Sequence, residues 1–586
     1  MNNKGFAITG ILYGLMILFV IVITSFLAVV VGKSKRDNEV LNNVKESLSL
    51  NSSETVYWSK FNYANYGWTY NGYRYSYVTD RRALYTFENA DYDTCVSMYL
   101  PKGTVVIIDS EGRLSYSLYG SENEAEFKEM SDSCYGELYN KPNSPDLVDG
   151  LIPVVYNETT SKWVKADSTN ENNSWYDYDK KQWANAVLVT SVNRSVYQNA
   201  KPGEEIFDND ILAFYVWIPR YKYKVWNINK VIRKDSYSAQ ISGIDVIFEK
   251  DKAKTGNITC TDYSFAIPSG NKNSPNEVCS GTNGDYYTHP AFTFGDNELR
   301  GFWIGKFELS SETPTVDKGG GNSSTLTARI LPNVNSWRKN TVSNFSTVIQ
   351  NMQNTNNIYG LPTSKSVADS HMIKNMEWGA VAYLTNSNYG RCLNGTCTEV
   401  TINNCSTYTT GIGGDTVSAS NSSTTCTTEV NKYNGEKGVL ASTTGNVYGV
   451  YDMSGGASEY VMGNMSSTAD TYTFYSSNAG FASSWYNDYS NQKYVNTYAN
   501  GTTYNNQSAY NRGRLGDATG EVVLLSTREN GGWYNDYAYF PYSGSPWFVR
   551  GGLYGYSSFA GVFYFGSYNG NAGSGNSARA TLVSLK

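Results

Sequence analysis

HMIKNMEWGAVAYLTNSNYG, residues 371–390, is the best helix candidate in the chain, and its surroundings decide the fold class. Met372, Met376, Ala380 and Tyr383 recur at helical spacing and share one face, and Gly390 supplies a C-terminal stop. Around this helix the pattern changes to short β-branched and aromatic runs divided by turn residues. They include TVYWSKFNY at 55–63, YRYSYV at 73–78, TVVIID at 104–109, PDLVDGLIPVVY at 145–156, WANAVLVTSV at 183–192 and AFYVWIPRYKYKVW at 213–226. A few strong helices among many short strands predict an α+β fold. At 586 residues the chain exceeds one core. Residues 53–144 read as a small β-rich module and 145–586 as a larger domain. Within the latter, the Ser/Thr/Gly/Asn-rich stretch 406–438 reads as a surface insertion.

Composition narrows the function. Charged residues are only 17% while aromatics reach 15%, with 50 tyrosines against 22 phenylalanines. Tyrosine offers a flat ring and one hydroxyl at low conformational cost, so surfaces built to grip a partner favour it together with Ser, Gly and Asn. A net charge of −6 with no basic block excludes a nucleic-acid footprint. His289 and His371 are the only histidines, which leaves little for Ser-His catalysis or a multi-His metal site. The eight cysteines contain no Cys-x-x-Cys motif. Their spacing predicts local disulfides in an oxidising, extracytoplasmic setting, Cys95–Cys134 and Cys260–Cys279. For the other four, Cys392–Cys397 with Cys405–Cys426 is one of three possible connectivities.

FAITGILYGLMILFVIVITSFLAVVVG, residues 6–32, carries no charge and is long enough to span a bilayer as a helix. Lys33, Lys35 and Arg36 follow directly, a poor region for signal cleavage. Val40, Leu41, Val44 and Leu48 extend the apolar stripe to about residue 52. The start, KGFAITG, resembles a type IV prepilin or pseudopilin. That resemblance implies a leader of residues 1–5, cleavage between Gly5 and Phe6, and a helix that sits in the membrane or packs against other pilin subunits. Gly10 stands where members of the family carry Glu, and a plain single-pass anchor is the alternative.

Four stretches then occur in a telling order: GFWIGKFELS at 301–310, MIKNMEWGAVAYLT at 372–385, GNVYGVYDMSGGASEYV at 445–461 and WFVRGG at 547–552. Together they resemble the formylglycine-generating-enzyme or sulfatase-modifying-factor domain, a variant of the C-type lectin fold, over residues 145–586. The enzymes of that family hold copper on a cysteine pair soon after the RGG motif, since a soft thiolate pair suits that metal. No cysteine follows Gly552 here, so no oxidase activity is expected. Gly456, Ala457 and Ser458 also replace the Asn, Val and Trp usual in the calcium-organising stretch. No catalytic residue and no cofactor is therefore assigned, calcium included. Glu377, Glu459 and Arg550 are expected to be structural, as are Trp547 and Phe548.

The tail 547–586 further resembles the C-terminal variable region of proteins diversified by retroelements, in which an RGG…AGVF frame holds rewritable positions. The resemblance implies a binding surface at Tyr554, Tyr556, Ser557, Ser558, Tyr564, Ser567, Tyr568, Asn569, Asn571, Ser574 and Asn576. Trp533, Tyr534 and Tyr537 are candidates for the same face. The reading is a bacterial surface adhesin or receptor, anchored by its N-terminal helix or assembled in a pilus-like filament, whose head binds a protein or glycan. A structural pilin subunit with a decorative head is the second reading.

Overall fold

The computed structural model describes the backbone of strands between residues 55 and 117, and residues 142–586 apart from 263–276, 282–284, 421–424, 468–477, 525–530 and a few single positions. The prepilin-like leader, with Gly5 and Phe6, and the apolar helix to residue 52 lie outside the described residues, as do the side chains of Cys95 and Cys134. Among the described residues no helix is long and apolar enough to cross a membrane. The chain divides into two compact units, 1–140 and 141–586.

In the first unit, Thr55–Lys60 pairs antiparallel with Leu84–Asn89 and with Ser115–Ser117, and Leu84–Asn89 pairs with Tyr92–Tyr99. A separate sheet joins Gly67–Tyr70, Tyr73–Tyr77 and Val105–Ile108. All are short runs of β-branched and aromatic residues that fit a pleated surface.

The second unit is mixed α+β, with sheets dominant and few helices. Its larger sheet runs, from one edge, Ala368–Met372, Ala580–Ser584, Gly301–Gly305, Ile211–Pro219, Asn185–Val189, Ile152–Asn157 and Lys162–Lys165, every pair antiparallel. The last strand of the chain is thus inserted between two earlier ones. All nine residues of Ile211–Pro219 are buried, so both faces of this strand are covered and its sequence reads as an apolar run without alternation. Lys306 follows the neighbouring strand Gly301–Gly305 and is buried. Its Nζ donates to Asn185 Oδ1 at 2.8 Å and to the carbonyls of Val447 and Gly449, and burial holds the amine well below the usual lysine range.

A second sheet carries the tail. Ser458–Met465 pairs parallel with Asn496–Tyr498 and Asn576–Ala578, and antiparallel with Trp547–Gly551, which pairs antiparallel with Gly561–Tyr568. Beneath it lies the helix Asn375–Thr385, shorter than expected from the 371–390 pattern. Residues 368–372 are a strand, and Glu377 turns back to accept the Lys374 amide at 2.8 Å, which starts the helix there. The helix ends at Thr385, so Gly390 is not its stop. The expected single apolar face of Met372, Met376, Ala380 and Tyr383 is also corrected, because Met372 belongs to the strand and all eleven helical residues are buried. Gly379 permits this close fit. A Cβ there would stand 1.9 Å from the Gly516 carbonyl oxygen.

The stretch 406–438 is no mere surface insertion. Residues 415–420 reach solvent, but Thr410, Ile412, Asn431 and Tyr433 are buried. Tyr433 packs edge-on against Phe307, and its hydroxyl accepts the Trp163 indole N–H at 3.1 Å. Its apolar and aromatic members close one wall of the core, which a reading by average composition overlooks. Among the described residues, disulfides join Cys260 to Cys279, Cys392 to Cys397 and Cys405 to Cys426.

Candidate functional site: the tail surface

The chain leaves the strand Trp547–Gly551 through two glycines in the left-handed region, Gly551 at φ 79° and Gly552 at φ 80°. A side chain at the second would crowd Ala560, whose Cβ lies 3.0 Å from the position a Gly552 Cβ would take. The pair swings residues 553–559 out of the sheet, and the chain returns through Ala560, Gly561, Val562 and Phe563, all buried. The return is pinned from two sides. The Trp378 indole N–H donates to the Val562 carbonyl at 2.9 Å, and the Phe563 amide donates to Asp536 Oδ2 at 2.9 Å.

Below the loop, Arg550 is fully buried and donates to Asn375 Oδ1 and to the carbonyls of Asp517 and Ala518. Arg579 is equally buried against the Glu459 carboxylate, at 3.0 Å through Nε, and donates to the carbonyls of Gly305 and Tyr451. These bonds tie the tail to both sheets. Burial pushes Glu459 up to about 7 against the pull of Arg579. Glu377 is buried beside His371, 2.9 Å from its Nε2. Trp547 and Phe548 are wholly enclosed.

The backbones of the two tail loops are held by the frame, while their side chains face outward. The Tyr554 amide donates to the Gly456 carbonyl at 2.9 Å. Beyond the strand, the Tyr460 hydroxyl donates to the Asn571 carbonyl at 2.8 Å, Arg338 donates to the Ser574 carbonyl at 2.9 Å, and the Ser458 amide donates to the Gly575 carbonyl. Tyr556, Tyr568, Asn571 and Ser574 are exposed, and Tyr554, Ser557, Ser558 and Asn569 are half-buried. Ser557 Oγ donates to the Ser418 carbonyl on the neighbouring disulfide-closed stretch. Tyr554 meets Tyr408 edge-on at 4.9 Å, and the Arg338 guanidinium covers Tyr408 at 3.8 Å.

Three expected site residues do not present themselves. Tyr564 is only 4% exposed, because Tyr537 and Tyr556 pack against its ring. Asn576 is 7% exposed, since it opens a strand paired with Ser458. Ser567 is half-buried with its hydroxyl oxygen enclosed. Of the preceding aromatics, Trp533 is buried against Phe563, while Tyr534 and Tyr537 are half-buried.

Residues not singled out from sequence join the surface. Tyr539 stacks on Tyr537, Tyr504 stacks on Tyr539, and Tyr542 adjoins both Tyr504 and Tyr539. The alternation Tyr537-Ala538-Tyr539-Phe540 was the available signal, being polar-tipped and apolar by turns.

Gly456 has a local cause. Its φ is 71°, and a Cβ would stand 2.5 Å from Glu308 Oε1, whose carboxylate accepts the Ala457 amide at 2.8 Å. Burial, with Asp452 and Glu459 nearby, holds the Glu308 carboxyl well above the usual range. Among the described residues no three His, Cys, Asp or Glu side chains are grouped to hold a metal ion. Compared with known proteins, the chain matches no family model and no curated sequence.

Proposed function

We propose that this chain is a non-enzymatic, surface-displayed binding protein of bacteria. In this reading the head, a C-type-lectin-like domain of the formylglycine-generating-enzyme type, is carried outside the cell on a pilin-like N-terminal helix. It recognises a ligand through the tail surface. One observation carries the reading: the backbones of loops 553–559 and 569–575 are bonded to a buried frame, while Tyr556, Tyr568, Asn571 and Ser574 face solvent. Rigid backbone with outward Tyr, Asn and Ser is the physics of a paratope, where aromatic rings supply area and small polar groups adapt hydrogen bonds. Such positions also tolerate replacement, as retroelement diversification of the tail requires.

The experiment is adhesion of cells displaying the full chain to panels of immobilised glycans and proteins. The double variant Tyr556→Ala/Tyr568→Ala is expected to lose at least one adhesion that the wild type shows. Identical adhesion profiles for the two would refute the assignment.

A further inference from the structure

The rings of Tyr556, Tyr564, Tyr537, Tyr539, Tyr504 and Tyr542 form one continuous row that runs beyond the tail. Ring centres are 6.1 Å apart from Tyr556 to Tyr564, 5.7 Å to Tyr537, 5.6 Å to Tyr539 and 4.1 Å to Tyr504, with Tyr542 5.2 Å from Tyr504. From Tyr564 to Tyr504 successive planes differ by 20°, 9° and 18°. The row arises from extended backbone alongside the strand Gly561–Tyr568. The Phe565 amide donates to the Tyr537 carbonyl at 3.0 Å and the Tyr539 amide to the Phe565 carbonyl at 2.9 Å. Ala538 and Phe540 therefore point into the core, both fully buried, while Tyr537 and Tyr539 remain partly open to solvent.

Rings stacked in this way cover one another's π faces. Tyr564 is enclosed and only links Tyr556 to the others from beneath, so what the partly open Tyr537, Tyr539, Tyr504 and Tyr542 offer to a partner is a line of ring edges and phenols. The edge is the positive end of the aromatic quadrupole, and the phenol both donates and accepts hydrogen bonds. Such a line attracts oxygen atoms. The charge distribution sharpens the choice. From Gly531 to Leu585 the only charged side chains in the described residues are Asp536, Arg550 and Arg579, and all three are buried. Arg512, beside Tyr504, turns its guanidinium onto the Phe540 ring at 4.8 Å and donates to the Ala499 carbonyl. Among the described residues 531–585 no charged side chain is open to a partner, and the partly buried Arg512 is engaged by Phe540 and backbone carbonyls.

We infer that the tyrosine row is a platform for a neutral polysaccharide, laid along the ring edges with its hydroxyl and ring oxygens against the phenols. This rests on the reading of the tail as a recognition surface and names its ligand class. An uncharged, oxygen-rich chain matches a long uncharged strip of donors and positive edges. An acidic glycan or a charged protein segment would surrender hydration here, and the charged side chains of the described residues 531–585 are buried and do not reach it.

The test is affinity electrophoresis of the full chain through gels containing neutral or acidic polysaccharides, at low and high salt. Retardation by at least one neutral polysaccharide, indifferent to salt, is expected, with at least a tenfold loss in Tyr539→Ala and in Tyr504→Ala. Both side chains are half-buried at the surface, and thermal unfolding of each variant checks that the fold is kept. Tyr539→Phe retains the ring and removes the hydroxyl, so an intermediate loss is expected. Unchanged retardation of Tyr539→Ala, or retardation only by acidic polysaccharides that high salt abolishes, overturns the inference. If no polysaccharide retards the chain while Tyr556→Ala/Tyr568→Ala abolishes adhesion to a protein-coated surface, the ligand class falls and the tail reading stands. If the tail variants alter no adhesion, the tail reading itself falls.

Discussion

Asp536 is wedged against Gly561: a Cβ on Gly561 would stand 2.1 Å from Asp536 Oδ1. The carboxylate also accepts the Phe563 amide, so it fastens the returning strand of the tail. Gly561→Ala should therefore destabilise the head by about 1–3 kcal/mol through overpacking. Urea unfolding measures this. Because the two residues touch, Gly561→Ala combined with Asp536→Ala should cost less than the two single changes added. Strict additivity would show that the contact does not hold the strand.

Tyrosines of the tail should divide by position and not by residue type. Tyr556→Ala and Tyr568→Ala are expected to cost no more than about 1 kcal/mol, since each is 40% exposed and meets its neighbours through one side of the ring. Tyr564→Ala should cost about 3 kcal/mol, because its ring is enclosed between two others. Denaturant midpoints of the three variants separate these cases, and equal losses would count against a displayed surface.

Two carboxyls raised by burial should each take stability away as pH rises towards 8. Burial pushes Glu521 up to about 8, against hydrogen bonds from Tyr383, the Gly516 amide and Tyr223. Burial likewise pushes Glu399 up to about 8 against Arg391. A carboxyl whose folded value lies above its unfolded one gives stability that is complete at low pH and lost as pH climbs through the folded value. His289, pushed down to about 3 by burial, acts in the opposite sense but only below its ordinary value of 6.5. Lys306, held well below the usual lysine range by burial, opposes this as pH rises, so the test is a difference: between pH 6.5 and 8 the melting temperature of Glu521→Gln should fall less, or rise more, than that of the wild type. A profile unchanged by that substitution would contradict this account.

The Cys405–Cys426 disulfide closes the stretch whose Ser418 carbonyl accepts from Ser557 and whose Tyr408 supports Tyr554. Cys405→Ser/Cys426→Ser should cost about 3 kcal/mol, as expected for a loop of this size. It should also weaken any adhesion that depends on the tail. Full retention of adhesion with lowered stability would mean that the stretch supports the fold alone.

Much of the architecture was legible in residue patterns. The β-branched and aromatic run at 183–192 contains the strand Asn185–Val189, the run at 213–226 overlaps most of Ile211–Pro219, and with the helix at 375–385 they give the mixed α+β class. The extent of the helix at 371–390 was not legible. Periodicity cannot show that Met372 pairs with Ala580 in a sheet, nor that a helix will be enclosed on every side. The buried part of 406–438 was hidden for a related reason: Tyr433 finds Phe307 and Trp163 only after distant segments meet.

For the candidate site, the tail's composition marked where a surface of tyrosine, serine and asparagine would be, because residue type sets what a side chain can offer. Composition could not say which way each side chain points. Tyr556 and Tyr564 are the same residue in the same tail, yet one is open and the other enclosed. Likewise Tyr504 is far from Tyr539 in sequence but 4.1 Å away ring to ring. Chemical character belongs to each residue alone and is present in the chain before folding. Direction, burial and neighbourhood arise only when separate segments pack, so the stacking of the tyrosine row, and which of its rings stay open, was decided by the tertiary structure.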